Sequence, residues 1–244
     1  MTGLPRRAAG EFIGTAVLVA VVVGSGIQAT ELSPDVGVQL LADSLATVFG
    51  LAVLIVLLGP VCGAHFNPAV TLAAWWDGRR GQGERLELRE VAAYIPAQIA
   101  GAVGGAVLAN AMFAEPLVRW SSHERWAPHL WLGEVVATAG LILLVLGLPR
   151  VGRANGAPLA VACYIGAAYW FTSSTSFANP AVTVGRAVTD TFAGIAPGSV
   201  LPFVGAQLVG LVVGVGLVSA LFGRPAPGAE AVTQVAPAPV AAGH

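Results

Sequence analysis

Apolar residues in this chain do not alternate with polar ones. They run together in long stretches, and the polar residues gather between them. Six such stretches lie near 9–29, 37–58, 90–112, 131–149, 157–173 and 200–222. Each is close to the ~20 residues that a helix needs to cross a bilayer. Polar connections separate them at 78–89, 115–129 and 150–156. Two shorter apolar segments, each opening on Asn-Pro at Asn67 and Asn179, do not fit this scheme. Asn is a strong N-cap and Pro is favoured at the first helical position, so each predicts a helix starting at the proline. Before the polar loop at Asp77 the first has room for about ten residues, ~15 Å at 1.5 Å each, half of the ~30 Å hydrocarbon core. Such a helix enters the membrane and stops.

Both short segments read Asn-Pro-Ala-Val-Thr, at Asn67–Thr71 and Asn179–Thr183. The repetition extends further. "GEFIGT" at Gly10–Thr15 resembles "GEVVAT" at Gly133–Thr138, pairing Glu11 with Glu134 and Thr15 with Thr138. "PAQIAG" at Pro96–Gly101 resembles "GAQLVG" at Gly205–Gly210, pairing Gln98 with Gln207. Each half holds three spans, an odd number, so the second half sits upside down relative to the first. The predicted fold is an all-α membrane protein of six transmembrane helices plus two half-helices in an inverted repeat. The halves fall near 9–114 and 131–222 of a channel domain, 9–222. A short segment, 1–8, precedes it. A tail rich in Pro, Ala and Gly, 223–244, is expected to be disordered.

Inversion brings the two half-helix N-termini together near the midplane. Irregular backbone at that depth is tolerated only where it is buried in protein or lines a wet cavity, which predicts a pore. Each N-terminus carries roughly +0.5 charge, so the meeting point repels cations. The amides of Asn67 and Asn179 offer N–H donors to a passing oxygen. A solute held by two donors turns its own hydrogens outward, which opposes proton relay.

Composition agrees. Hydrophobic residues make up 56% of the chain and charged residues 10%, against roughly a quarter charged in soluble domains. The first apolar stretch is long and lacks a cleavage-site context, so it reads as a retained span rather than a secretory signal. Lipid is the expected surrounding. A net charge of −1 without a basic patch gives no reason to expect nucleic acid. Cys62 and Cys163 form no disulfide framework and read as packing residues. All 12 cationic residues are arginines. With the N-terminus inside, nine of them fall on the cytoplasmic side and Arg119 and Arg125 fall outside, a positive-inside bias that places both termini in the cytoplasm. Trp120, Trp126, His123 and His129 then lie in the outer loop, the tryptophans as interface anchors.

The two Asn-Pro-Ala motifs, the Glu-x-x-x-Thr spans and the Ala-Gln-x-x-Gly spans together resemble the aquaporin (major intrinsic protein) family over residues 8–222. The resemblance implies a multi-pass passive channel in the inner (plasma) membrane, not an enzyme. It also implies a homotetramer with one pore per subunit, and no cofactor or metal. Most of that family carries an arginine directly after the second Asn-Pro-Ala. Here Val182 stands there. Gapless spacing puts the remaining filter positions at Thr47, Ala167 and Ser176, with Phe49 as a rival to Thr47. A Thr/Ala/Ser/Val ring has no aromatic and no cation, so the expected filter is wide. The phrase "YWFTSSTSFANPAVT" further resembles a bacterial subgroup associated with arsenic resistance. That implies arsenous acid, methylated arsenicals and other small polyols as solutes. The alternative is a water or water/glycerol facilitator without a metalloid role. The Asp usual after the motif in glycerol facilitators is replaced by Thr183.

Arg186 lies four residues beyond Val182, about one turn along the same helix face. It either lines the pore mouth in place of the missing cation or snorkels to the outer surface. Glu11 and Glu134 are costly inside spans. They read as braces that accept backbone N–H groups, with a proton relay as the rival role. His65 is expected in a loop hydrogen bond, and Asp43 is a possible partner for Arg186. A secondary transporter also uses inverted repeats, but no further carboxylate cluster at membrane depth marks a coupling-ion site. No nucleophile–base pair or metal set marks an enzyme.

Overall fold

The computed structural model describes residues 3–81 and 86–223. Among the described residues eight α-helices follow in order: α1 (Leu4–Leu32), α2 (Val36–Cys62), α3 (Pro68–Arg79), α4 (Leu88–Met112), α5 (Pro128–Arg150), α6 (Ala157–Phe171), α7 (Pro180–Gly185) and α8 (Pro197–Phe222). Among the described residues there is no strand. Helix α1 begins inside the expected N-terminal segment, and the tail beyond Gly223 lies outside the described residues. His129 falls in the first turn of α5 rather than in the loop before it.

Five helices, α1, α2, α4, α5 and α8, are long and apolar enough to cross a membrane. The sixth expected span is a shorter helix. Helix α6 has 15 residues, ~22 Å at 1.5 Å each. A 3₁₀ turn at Ala154–Gly156 extends it at its start, adding ~6 Å.

Two helix pairs form the frame, α1 against α4 and α5 against α8. Their closeness depends on glycine. A Cβ on Gly101 or Gly105 would overlap the carbonyl oxygens of Phe12 and Ala16 in α1. A Cβ on Gly210 or Gly214 would press on those of Val135 and Ala139 in α5. Gly210 and Gly214 follow Gly101 and Gly105 at one fixed spacing, and Val135 and Ala139 follow Phe12 and Ala16 at another. The repeat is therefore one of packing as well as sequence. Backbones that touch leave no gap to fill with side chains, which is the usual reason for small residues between membrane helices.

One face is fastened by ion pairs. Arg7 of α1 bonds Glu90 of α4, and Arg150 at the end of α5 reaches Asp77 near the end of α3 at 2.5 Å. On the opposite face the loop 113–127 folds over the end of the second repeat. It donates from Arg119 and Ser121 N–H to the carbonyls of Val188 and Ala187 at 3.0 Å each.

Gly105→Ala is expected to destabilise the protein by about 1–3 kcal/mol, the cost of overpacking a filled contact. Gly104→Ala, where a Cβ meets nothing nearer than the Phe12 ring edge at 3.9 Å, is expected to be neutral or stabilising. Thermal unfolding of both variants in detergent checks the contrast.

The channel and its two half-helices

Helices α3 and α7 start at Pro68 and Pro180, each with its asparagine as N-cap in extended backbone. Asn67 Oδ1 accepts from Ala69 N–H at 2.8 Å. Asn179 Oδ1 accepts from Ala181 at 3.0 Å and Val182 at 3.3 Å. The same amides then cross the molecule. Asn67 Nδ2 donates to the Ala178 carbonyl at 2.8 Å, and Asn179 Nδ2 donates to the Phe66 carbonyl at 2.7 Å. Each amide has two hydrogens, so one N–H of each remains. Both asparagines line a cavity of about 140 Å³ that passes between the half-helices.

The segments leading into the half-helices are held from behind by glutamates. Glu11 accepts from His65 N–H at 2.9 Å and Phe66 N–H at 2.7 Å. Glu134 accepts from Phe177 N–H at 2.9 Å and Ala178 N–H at 2.8 Å. Gln98 donates to Glu11 and to Thr71, the last residue of the first motif. Gln207 does the same to Glu134 and Thr183. All four Glu and Gln side chains are fully buried. The backbone bends to make this possible, with positive φ at Ala64 and Phe66 and at Thr175, Ser176 and Ala178. A trans peptide sets each carbonyl opposite its N–H. The carbonyls of Ala64, His65, Ser176 and Phe177 therefore face away from the glutamates, and these residues line the cavity. The result is a line of acceptors on each side of the two asparagine donors.

Thr47, Ser176, Val182 and Arg186 all line the cavity. Ser176 Oγ is buried without a hydrogen-bond partner among the described residues. Phe49 is 66% exposed on the outer surface, whereas Thr47 lines the cavity. Ala167 requires correction. It is exposed on the outside of α6, and Val161, Ile165 and Tyr169 face the cavity instead. Two positions along a helix lie roughly 160° apart around its axis, so Ala167 and Tyr169 cannot share a face. The cavity lining therefore does contain an aromatic. It contains a cation too. Arg186 is 3% exposed, its Nε donates to the Ala193 carbonyl, and its guanidinium lies 3.5 Å from the Phe177 ring centroid. Helix α7 ends at Gly185, and Arg186 opens a 3₁₀ turn, Arg186–Val188. The expected continuous helix through Arg186 is thus broken one residue early.

Arg125, from the loop 113–127, also reaches Phe177, at 4.9 Å from the ring centroid. It donates to the carbonyls of Gly194 and Ser174 at 3.2 Å each. Burial, and then the nearby Arg186 charge, push Arg125 down to about 10, so it stays cationic at neutral pH. Asp43 bonds Ser25 at 2.9 Å. No ion pair among the described residues joins it to Arg186, which acts on it only through space. His65 Nδ1 sits 3.1 Å from Thr71 Oγ1. Both cysteines are free. Cys62 is buried, but Cys163 is exposed on the outside of α6 rather than packed. Among the described residues no group of His, Cys, Asp and Glu could hold a metal ion.

A family model described as major intrinsic protein matches residues 2–178. The chain belongs to that family. It is 48% identical over 209 residues to aquaglyceroporin AqpS of Rhizobium meliloti (strain 1021), covering 86% of this chain and 87% of that one. It is 31% identical over 221 residues to aquaporin AqpM of Methanothermobacter marburgensis, covering 80% and 87%. The fold matches the X-ray structure of the aquaglyceroporin from Plasmodium falciparum with a TM-score of 0.64 at 22% identity, covering 91% and 96%. As a major intrinsic protein the chain is an integral membrane channel for water or small solutes, not an enzyme.

Tyr169, Phe177 and Arg125 escaped the sequence reading. Tyr169 was in principle accessible through the i, i+4 spacing that puts it on one face with Val161 and Ile165. Nothing in the sequence links Arg125 to Phe177.

Glu134→Gln turns an amide N–H₂ toward donors that need an acceptor. Each buried group left unpaired costs about 1–3 kcal/mol, so the variant is expected to unfold at lower temperature and to lose solute flux. A proton-relay role predicts the opposite pattern, an unchanged melting temperature with an altered pH dependence of flux. Glu11→Gln is expected to behave alike.

Proposed function

We propose that this chain is a plasma-membrane channel for small neutral hydroxylated solutes, with arsenous acid, methylated arsenicals and small polyols among them. The observation that carries this reading is Val182. It lines the cavity directly after the second Asn-Pro-Ala, and its side chain supplies neither charge nor hydrogen bond at the point where the family usually places an arginine. A neutral trihydroxide can use the two remaining asparagine N–H groups and the flanking carbonyls as a polyol would. The positive half-helix ends do not oppose it. The Rhizobium meliloti relative, named an aquaglyceroporin, supports the polyol part.

The same reading orients the chain with both termini in the cytoplasm, following its arginines. It assembles as a homotetramer, as the family does. The exposed apolar residues of α2 and α8, such as Val53, Leu57, Leu201 and Val212, suit contact with lipid or with neighbouring subunits. Glu11 and Glu134 brace the entry loops, and Arg186 serves as the cation of the outer mouth. A second reading, a water or water/glycerol facilitator without a metalloid role, is favoured by one observation. Tyr169 and Arg186 both reach the cavity and narrow what Val182 leaves open.

Light-scattering flux into proteoliposomes separates the two. Parallel gradients of water, glycerol and arsenous acid are expected to dissipate rapidly. Val182→Arg is expected to cut glycerol and arsenous acid entry by about tenfold or more while water falls less, the scale on which pocket size discriminates. Arg186→Ala is expected to raise glycerol flux. Water flux alone in the unaltered protein overturns the metalloid reading, and permeability unchanged for every solute returns Arg186 to a structural role.

A further inference from the structure

The first half-helix ends on a feature that the repeat does not share. Trp75 and Trp76 of α3 are each followed four residues on by an arginine. The Arg79 guanidinium lies 5.0 Å from the Trp75 ring centroid, and that of Arg80 lies 4.5 Å from the Trp76 centroid. At the matching places after the second motif stand Ala187, Val188, Thr191 and Phe192. What the barrier needs appears in both halves. These stacked pairs appear in one, so the barrier does not account for them. Both arginines are exposed, and Trp76 is 41% exposed. Among the described residues neither arginine has an ion pair. Asp77 beside them is buried and bonded to Arg150, and Arg80 acts on it only through space. Glu87 and Glu90 of the same face are paired with Arg89 and Arg7. The charge at the end of α3 is therefore left over. Each guanidinium rests one face on an indole, as cation–π pairs do, and keeps N–H groups in its plane for an outside acceptor.

We infer that the end of α3 is a binding site for an anionic phospholipid: Arg79 and Arg80 hold its headgroup phosphate, and Trp76 lies against the start of its chains. The depth fits. Counted from Asn67 at the midplane, Trp75 and Trp76 lie ~12–14 Å along the axis and Arg79 and Arg80 ~18–20 Å, at about 1.5 Å per residue. The hydrocarbon core ends ~15 Å from the midplane and the headgroup region ~20–22 Å from it. The indoles thus sit where tryptophans anchor proteins at a membrane interface, and the guanidiniums sit among phosphates, which their planar donors suit. Helix-end carbonyls also attract a cation, but that attraction does not require an indole under each of two. Two unneutralised cations favour a lipid of net negative charge over a zwitterionic one. An exposed ring at chain depth favours a lipid over a soluble anion. The site is independent of which solute the channel passes.

The test is the melting temperature of the full channel in a neutral detergent, titrated with phosphatidylglycerol, phosphatidylcholine or glycerol phosphate. Phosphatidylglycerol is expected to raise it at about tenfold lower concentration than phosphatidylcholine, the scale of two arginines at an anionic surface, and glycerol phosphate is expected to leave it unchanged. Arg79→Gln combined with Arg80→Gln is expected to abolish the preference. Arg6→Gln combined with Arg153→Gln removes two exposed arginines of the same face that stack on no indole, and is expected to retain it. Trp76→Leu keeps both charges and is expected to weaken phosphatidylglycerol binding by a smaller factor. Equal response of the unaltered channel to the two lipids overturns the assignment without recourse to any variant. Loss of the preference in the Arg6 and Arg153 variant as complete as in the Arg79 and Arg80 variant also overturns it, because the charge of the whole face is then what the lipid meets. A rise with glycerol phosphate equal to that with phosphatidylglycerol replaces the lipid by a soluble phosphate ester and overturns it as well.

Discussion

Two reciprocal hydrogen bonds at the centre of the membrane, Asn67 to the Ala178 carbonyl and Asn179 to the Phe66 carbonyl, are the point on which the rest of this structure depends. A chain that stops halfway across a bilayer leaves helix-end N–H groups and loop carbonyls in a place with little water to satisfy them. Each asparagine resolves this for both halves at once. Its oxygen caps its own helix, one of its hydrogens serves the carbonyl of the other loop, and the second hydrogen is left for the channel. Replacing either half-helix alone would strand groups on both. The glutamates complete the arrangement from behind, and the glutamines fix the glutamates to the threonines that end the motifs. Within a largely apolar lining, the pore thus presents the remaining asparagine N–H groups beside the carbonyls of the two entry loops.

Symmetry governs the barrier but not the mouth. Helix α3 has 12 residues and α7 has six. After α7 the chain turns into the segment that bonds the loop 113–127, and nothing comparable follows α3 among the described residues. Here two arginines approach one phenylalanine. A buried guanidinium without a carboxylate is costly unless other groups solvate it. Carbonyl oxygens and the π-face of Phe177 do so for Arg186 and Arg125. An arginine solvated in this way is held in place without having its charge cancelled, so its field still reaches the passage.

The parts of this protein that are legible in its sequence are those that repeat. Asn67 and Asn179, Glu11 and Glu134, and Gln98 and Gln207 announce themselves because inverted halves must solve the same problem of unsatisfied backbone twice. The glycines of α4 and α8 can be read for the same reason. The filter cannot be read this way. Which residue of α6 faces the pore depends on the rotation of that helix, and the rotation is set by Ser44, Val48 and Thr47 from a different span. Counting residues back from the motif assumes a rotation and lands on Ala167, on the wrong side. Thr47 lines the cavity and Phe49 faces outward on the same physical ground, the face of α2 that meets α6. Arg186 was visible as a cation out of place. Its contact with Phe177 depends on α7 ending at Gly185, and a run of helix-compatible residues does not reveal that stop.

On the function proposed above, a barrier to ions and a limit on solute size rest on different groups. The charge barrier comes from the two half-helix ends and their asparagines, which the inverted repeat fixes and which no single side chain at the mouth can remove. On that reading width is set by Val182 and Arg186 from the second half-helix and the turn after it, and by Tyr169 from α6, with no symmetry relation between the two elements. A substitution that widens the mouth therefore leaves the midplane field intact. On that reading Val182 stands where the family usually has arginine while the field of the two half-helix ends still opposes cations. On the same reading, larger neutral solutes are what such a substitution admits.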